Sequence, residues 1–381
     1  MRPSTVAGAL ALAGALAGAA LAQQGEPIRF ADVIELSGSG ATVGTNWRNA
    51  VELAVNEINQ KGGILGRRIE LAHYDTQTNP GVSRAQVQKA LDTKPYVILG
   101  PIFSGSVKVN MMLAQQAEVP QFTGAEATDI TQAGNPYIFR TSLSQAASMP
   151  KLAAYLKDDL RAGKVAVVYV NNDFGKGGRD AILREFKTRG IEVAADISTE
   201  AGQADFAADV VKVKRAAPDA VFVYTNEEES ARFLREARKQ GLQVPLIGET
   251  TLLNQKVIDL AGEAANGVRG HVGLSADAPI AGIGEFRARF EKQYGYTPDH
   301  NAIKAYLAVY AVRHVTERIG KVDGKELARR LHGLTITPAD EPGILMTTTW
   351  DDKGDVDRES FLAEVVGGRQ QIVKTLPKVG R

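Results

Sequence analysis

The sequence predicts an α/β protein made of two doubly wound lobes, and three observations carry that expectation. Short apolar strands alternate with helices from Pro27 onward, the pattern of parallel sheets covered by helices on both faces. The alternation begins again near Phe139-Arg140-Thr141. Removing an N-terminal export segment of 22 residues from the 381 leaves 359, enough for two domains of ordinary size.

In the first half, Ile28 to Glu35 reads as a strand and Ser37-Gly38-Ser39-Gly40 as a loop. A helix from about Thr45 puts Trp47, Ala50, Val51, Ala54, Val55 and Ile58 on one face, and Gly62-Gly63 stops it. Arg68 to Asp75 is a strand, Thr76 to Pro80 a loop and Val82 to Leu91 a helix. The stretch from Tyr96 to Val107 organises this half. An apolar strand (Val97, Ile98, Leu99) breaks at Gly100-Pro101, and the chain restarts at Ser104 as a helix running to about Ala117. Ser104 stands at an N-cap position, and Gly105 leaves the backbone open. A helix start offers unpaired N–H groups and a positive dipole end, so a small carboxylate fits there; a plain βα turn capped by serine is the alternative. Val119 to Thr123 is the next strand, followed by the loop Gly124 to Thr128.

The second half repeats the scheme. Met149 to Leu160 reads as a helix and Val165 to Val170 as a strand, with Asn171 to Gly175 as its loop. Helix Arg179 to Arg189, strand Ile191 to Ile197, helix Phe206 to Ala216, strand Ala220 to Tyr224 and helix Glu228 to Gln240 follow. Pro245 to Gly248 is a strand ending in Glu249-Thr250-Thr251, and Gly267 to Val272 is another. Three helices come next: Gly284 to Tyr294, Ala302 to Arg318 and Gly324 to Leu331. The tail reads as strands at Ile344 to Trp350, Phe361 to Val366 and Gln370 to Thr375, around a turn at Asp351 to Asp355.

Arg2, the uncharged run Val6 to Ala20 and Ala20-Leu21-Ala22 form an export signal, with a mature start near Gln23. That run is short for a membrane span and rich in Gly and Ala. The chain has no cysteine, which excludes disulfides, thiolate metal sites, cysteine nucleophiles and a lipidated cysteine anchor. A protein exported without anchor or span is expected free in the periplasm. Without Arg2 the basic and acidic residues balance at 44 each, so charge makes no case for nucleic acid or an anionic membrane.

Few motifs point to chemistry. Gly38-x-Gly40-x-x-x-Gly44 is one residue too long for a dinucleotide fingerprint, and Asp75 lies too far along to serve it. His73, His271, His300, His314 and His332 do not pair at metal spacing, and no G-x-S-x-G surrounds a serine. Asp351 to Asp355 lacks calcium-loop spacing and reads as a hairpin turn. No metal, cofactor or catalytic group is expected. What remains is a set of polar loops at strand ends: 102–106, 124–128, 171–174, 226–229 and 249–251. In two doubly wound lobes they would face one another across a cleft, a favoured place for a small ligand.

Asn56 to Gly63, Tyr74-Asp75 with Asn79-Pro80, Gly100 to Ser106 and Trp350 to Asp355, in this order along nearly the whole chain, resemble the leucine/isoleucine/valine-binding proteins. These are the type I periplasmic solute receptors of ABC importers. The resemblance implies two Rossmann-like lobes joined by three crossovers near Thr141, Val272 and Trp350. One lobe would comprise 23–141 with 273–349 returning to it, the other 142–272 closed by 350–381. It also implies binding without catalysis, a monomer, and delivery of the ligand to a permease in the inner membrane. A sensory module that hands the ligand to another receptor would use the same cleft.

By the same resemblance, Ser104 holds an amino-acid carboxylate, flanked by Ile102 and Phe103. The neighbouring loop contributes at Gly124, Ala125 and Glu126. Family members usually carry aromatic residues at the positions of Val43, Phe174 and Asn226, and here only Phe174 keeps that character. The acid that receives the ligand ammonium falls at Thr250, with Glu249 just before it. Three roles stay open for Glu126. It receives the ammonium in place of the missing acid, or it faces solvent while Glu249 does so, or it repels carboxylates in favour of an amide or a cation.

Overall fold

The computed structural model describes residues 25–380. The expected export segment lies outside them. The first lobe runs β1 (Ile28–Ile34), α1 (Ala41–Gln60), β2 (Ile69–Asp75), α2 (Pro80–Leu91), β3 (Val97–Leu99), α3 (Ser104–Gln116), β4 (Gln121–Thr123), α4 (Asp129–Gln132) and β5 (Ile138–Arg140). Its five strands are all parallel, in the order β2-β1-β3-β4-β5. Ala31, Val33 and Ile98 face a cluster with Val87, Ala90 and Ala114 under α2 and α3. Phe30, Leu99 and Phe122 face the opposite way, into the largest core. Burial on both faces is what continuous apolar strands demand.

The chain then continues through α5 (Gln145–Ala154), β6 (Lys164–Val170), α6 (Asp173–Arg189), β7 (Glu192–Thr199), α7 (Ala207–Ala216), β8 (Ala220–Tyr224), α8 (Glu227–Lys239), β9 (Leu246–Gly248), α9 (Gln255–Ala261) and β10 (Arg269–Val272). Three helices follow: α10 (Ala281–Tyr294), α11 (His300–Ile319) and α12 (Gly324–Leu331). They pack Phe286, Tyr306, Val309 and Leu327 into the same core as Trp47 and Val51 of α1. A small antiparallel sheet forms from β11 (Thr335–Ile336), β12 (Thr348–Trp350) and β13 (Val356–Asp357). Finally β14 (Ser360–Val366) and β15 (Arg369–Leu376) join β10 antiparallel, giving the order β15-β14-β10-β9-β8-β6-β7.

Several boundaries differ from the sequence expectation. Helix α1 starts at Ala41 rather than near Thr45. Its first turn sits directly on the end of β1, and a Cβ at residue 44 would fall 1.8 Å from the Glu35 carbonyl oxygen, so only glycine fits. Helix α5 starts at Gln145 rather than Met149, with Pro150 inside it. The segment Ile344 to Trp350 is strand only over its last three residues, after a 3₁₀ turn at Pro342–Ile344.

Ser104 does not cap α3, as the sequence suggested: the cap is the extended residue Phe103, and Ser104 is the first helical residue. Glu35 explains the shift. Its carboxylate accepts the N–H groups of Ile102 at 3.1 Å and Phe103 at 3.3 Å, so the chain is already anchored before Ser104. Asn79 caps α2 ahead of Pro80 and Asn172 caps α6, so these helices start at Pro80 and Asp173, earlier than the expected Val82 and Arg179.

Candidate functional site

The loops at the carboxyl ends of both parallel sheets converge on one cavity, as ligand sites in such sheets do. The first lobe lines it with Ile102, Phe103, Ser104, Gly124 and Glu126. Phe174, Asn226, Glu227 and Thr251 come from loops of the second sheet, and His300, Asn301 and Lys304 from α11. The free space within it is small, about 40 Å³. Seven sequence-predicted residues therefore meet: Ile102, Phe103, Ser104, Gly124, Glu126, Phe174 and Asn226. Val43 lies in the core and Ala125 is buried within its loop. Glu249 and Thr250 are buried and do not line the cavity.

Each wall has a local cause. Ser104 Oγ accepts the Ala127 N–H at 3.2 Å, which ties the start of α3 to the loop after β4. Arg140, fully buried, donates to the carbonyls of Ala125 and Ala127 on either side of Glu126. The same guanidinium pairs with Asp355 at 2.9 Å, and Trp350 Nε1 donates to the Arg140 carbonyl at 2.8 Å. The connection between the sheets thus fixes the loop that presents Glu126. On the other side Phe174 stacks on Tyr224, with centroids 4.2 Å apart. Gln145 Nε2 donates to the Phe174 carbonyl at 2.8 Å and to the Tyr224 hydroxyl at 3.1 Å. Tyr224 reaches this place because residue 178 has no side chain; a Cβ there would lie 2.0 Å from the ring.

The electrostatics are dominated by acids. Lys304 donates to Glu126 at 2.9 Å and to the Gly124 carbonyl at 3.3 Å. Burial pushes the Glu126 carboxyl up to about 6 against the pull of Lys304. Glu249 is pushed up to about 7, again by burial, although Thr250 donates to it at 2.7 Å. The Thr250 hydroxyl also accepts the Gly273 N–H at 3.1 Å, so its bonding is internal. Glu249 and Glu126, from opposite sheets, are near enough to influence each other's ionisation. Burial lifts Glu35 and Glu227 to about 7 as well. His271, 3.0 Å from Glu249, is held down to about 3 by burial, and His300 well below its usual value for the same reason. Both imidazoles are neutral near pH 7. Among the described residues no cluster of three or more metal-ligating side chains occurs.

Residues 27–370 match the family described as periplasmic binding protein. The chain belongs to this family. Like its other members it binds and does no chemistry on what it holds. It is similar to the Leu/Ile/Val-binding protein of Escherichia coli (strain K12), with 26% identity over 343 residues, covering 88% of this chain and 90% of that one. In three dimensions it is similar to the branched-chain amino acid transporter substrate binding protein LivJ from Streptococcus pneumoniae, solved in complex with isoleucine. The TM-score is 0.84 at 24% identity, over 92% of this chain and 99% of that one. It is equally similar to a solute binding protein of an ABC transporter from Rhodopseudomonas palustris BisB5, solved with 3,4-dihydroxy benzoic acid. There the TM-score is 0.83 at 24% identity, over 92% and 97% of the two chains. The two lobes are those of the type I periplasmic binding fold.

Within this periplasmic binding protein, sequence reasoning missed Lys304, His300 and Asn301, and reached Glu227 and Thr251 only as members of the loops 226–229 and 249–251. Lys304 left a signal: it is the one cation in the apolar run from Ala302 to Val312. Glu227, one of three consecutive acids, reads as an ordinary acidic first turn of α8.

Proposed function

We propose that this chain is a periplasmic receptor that closes on a small amine-bearing ligand, an amino acid or a relative of one, and delivers it to an ABC importer. The observation that carries the reading is the presence of Glu126 from one lobe and Glu227 from the other on the wall of one cavity. Two carboxylates brought together repel, and an ammonium between them turns repulsion into attraction. Such a ligand contacts both lobes only when they are closed, so it shifts the population toward the closed state. Hinge strands near Thr141, Val272 and Trp350 would divide the lobes, and cleavage near Ala22 would release the protein into the periplasm. The relatives' names, which include leucine, isoleucine and valine, support an amino-acid-sized ligand.

A thermal-shift screen of amines, amino acids and small acids on refolded, ligand-free protein tests the proposal. A true ligand at 100 times its dissociation constant should add about 2.7 kcal/mol. A screen in which no amine raises the melting temperature refutes it.

A further inference from the structure

We infer that the ligand of this cleft carries a net positive charge: a small organic amine whose own carboxylate, if it has one, is outnumbered by cationic groups. This rests on the receptor reading above and goes further, because a neutral zwitterion would satisfy that reading equally well.

Counting charges makes the argument. Four carboxyls belong to the site: Glu35 beneath the start of α3, Glu126 and Glu227 on the wall, and Glu249, near enough to Glu126 to influence its ionisation. Two cations bear on them, and both are engaged: Lys304 is bonded to Glu126 and to the Gly124 carbonyl, and Arg140, behind the Glu126 loop, is paired with Asp355. The two histidines nearby are neutral. These carboxyls sit at about 6 to 7, so protons offset part of their charge near neutrality and most are ionised only at pH 8, where a cationic ligand supplies the counter-charge that buried carboxylates lack.

One unpartnered atom points the same way. Asn301 lines the cavity and is 1% exposed, and its Oδ1 is buried without a hydrogen-bond partner. An amide oxygen only accepts. A ligand N–H donor would relieve this unmet buried acceptor. Glu35 adds a third reason. The N–H groups of Ile102 and Phe103, which could have held a ligand carboxylate ahead of α3, are taken by the protein's own carboxylate. An anionic ligand at Ser104 would sit between Glu35 and Glu126.

The test is calorimetry at pH 8 on the refolded mature chain, with four probes of similar size. L-Lysine and 3-methylbutylamine carry a net positive charge at pH 8, L-leucine is a zwitterion, and benzoate is an anion. At least one of the two cations should bind about tenfold or more tighter than leucine. Benzoate should show no binding. In Glu227→Gln, and separately in Glu126→Gln, the ratio of cation to leucine affinity should fall several-fold. A ratio is read only on folded protein, so a general loss of stability does not imitate it. Leucine or benzoate binding more tightly than both cations overturns the inference while leaving the receptor reading intact. An unchanged ratio in both variants also overturns it. Binding by none of the four, with no amine active in the thermal screen, overturns both.

Discussion

Lys304 Nζ lies 2.9 Å from Glu126 Oε1, with both residues almost wholly buried. The bond joins α11 to the loop after β4, so a helix late in the chain sets the charge of a loop from its first third. Of the three roles open to Glu126 in the sequence, the solvent-facing one is thereby excluded.

Breaking this pair should be costly. Lys304→Met leaves Glu126 buried beside Glu249 with no directly bonded counter-charge, at about 3–5 kcal/mol of stability. The loss should shrink at pH 5, where Glu126 takes up a proton. Urea unfolding at pH 7.5 and pH 5 measures both. A loss below about 1 kcal/mol at pH 7.5 would mean that water, rather than Lys304, solvates the carboxylate.

Ser104→Ala should act through the loop after β4 instead of through a helix cap. The change strands the buried Ala127 N–H, which costs about 1–3 kcal/mol. Amide exchange at Ala127 should quicken while the first turn of α3 stays protected. Fraying of α3 with Ala127 unaffected would restore serine to the capping role that the structure denies it.

How far the sequence disclosed this protein follows from where the information resides. Strands such as Val97–Leu99 and Ala220–Tyr224 are apolar runs between turn signals and were legible, whereas the caps at Asn79 and Asn172, although local, read only as loop residues. The three-residue strand Ile138–Arg140 and the short helices α4 and α9 carry too few residues for a period to show. The capping error at Ser104 was non-local, because Glu35 is 68 positions from the Phe103 amide it holds. Lys304 and Glu126 are 178 positions apart. No spacing rule reaches that far, and only the packing of α11 against the loop after β4 brings them together.

The ligand-free protein should lose stability as pH rises from about 4.5 to 8. The carboxyls of Glu35, Glu227 and Glu249 sit near 7, and that of Glu126 near 6, against 4.5 when unfolded. For an acid with a raised value the unfolded chain ionises first, so stability drains away as pH climbs through this window. His73, raised to about 9 by its bonds to Asp32 and Glu52, adds in the same direction: its contribution is complete below 6.5 and gone above about 9. Melting temperatures across this range measure the slope, and Glu249→Gln should flatten it. A profile that rises steadily to pH 8 would contradict the burial of these acids. An amine ligand should reverse the trend, because binding favours the ionised carboxylates and releases protons. Its affinity should increase between pH 5 and 8, and calorimetry in buffers of different ionisation enthalpy should register the released protons.

The closed arrangement also has an electrostatic clasp at its rim. Lys108 on α3 lies 2.8 Å from Asp129 on its own lobe and 3.1 Å from Asp173 at the start of α6 on the other. Helices α3 and α6 come close enough here that a Cβ at residue 105 would stand 3.1 Å from Asp173 Oδ2. Asp173 is about half exposed, so the bridge is worth only about 0.2–1 kcal/mol. That is small against folding but not against an opening equilibrium of a few kcal/mol. Asp173→Asn should therefore leave the melting temperature nearly unchanged and speed ligand release by roughly 1.4- to 5-fold, the same energy expressed as a rate. Raising the salt from 0.02 M to 0.5 M should produce a similar acceleration in the wild type and little more in the variant, since exposed charges are screened. Stopped-flow dissociation at the two salt concentrations decides it. Equal salt sensitivity in both proteins would show that the lobes are held by the ligand and the buried contacts alone, with Lys108 serving only its neighbour Asp129.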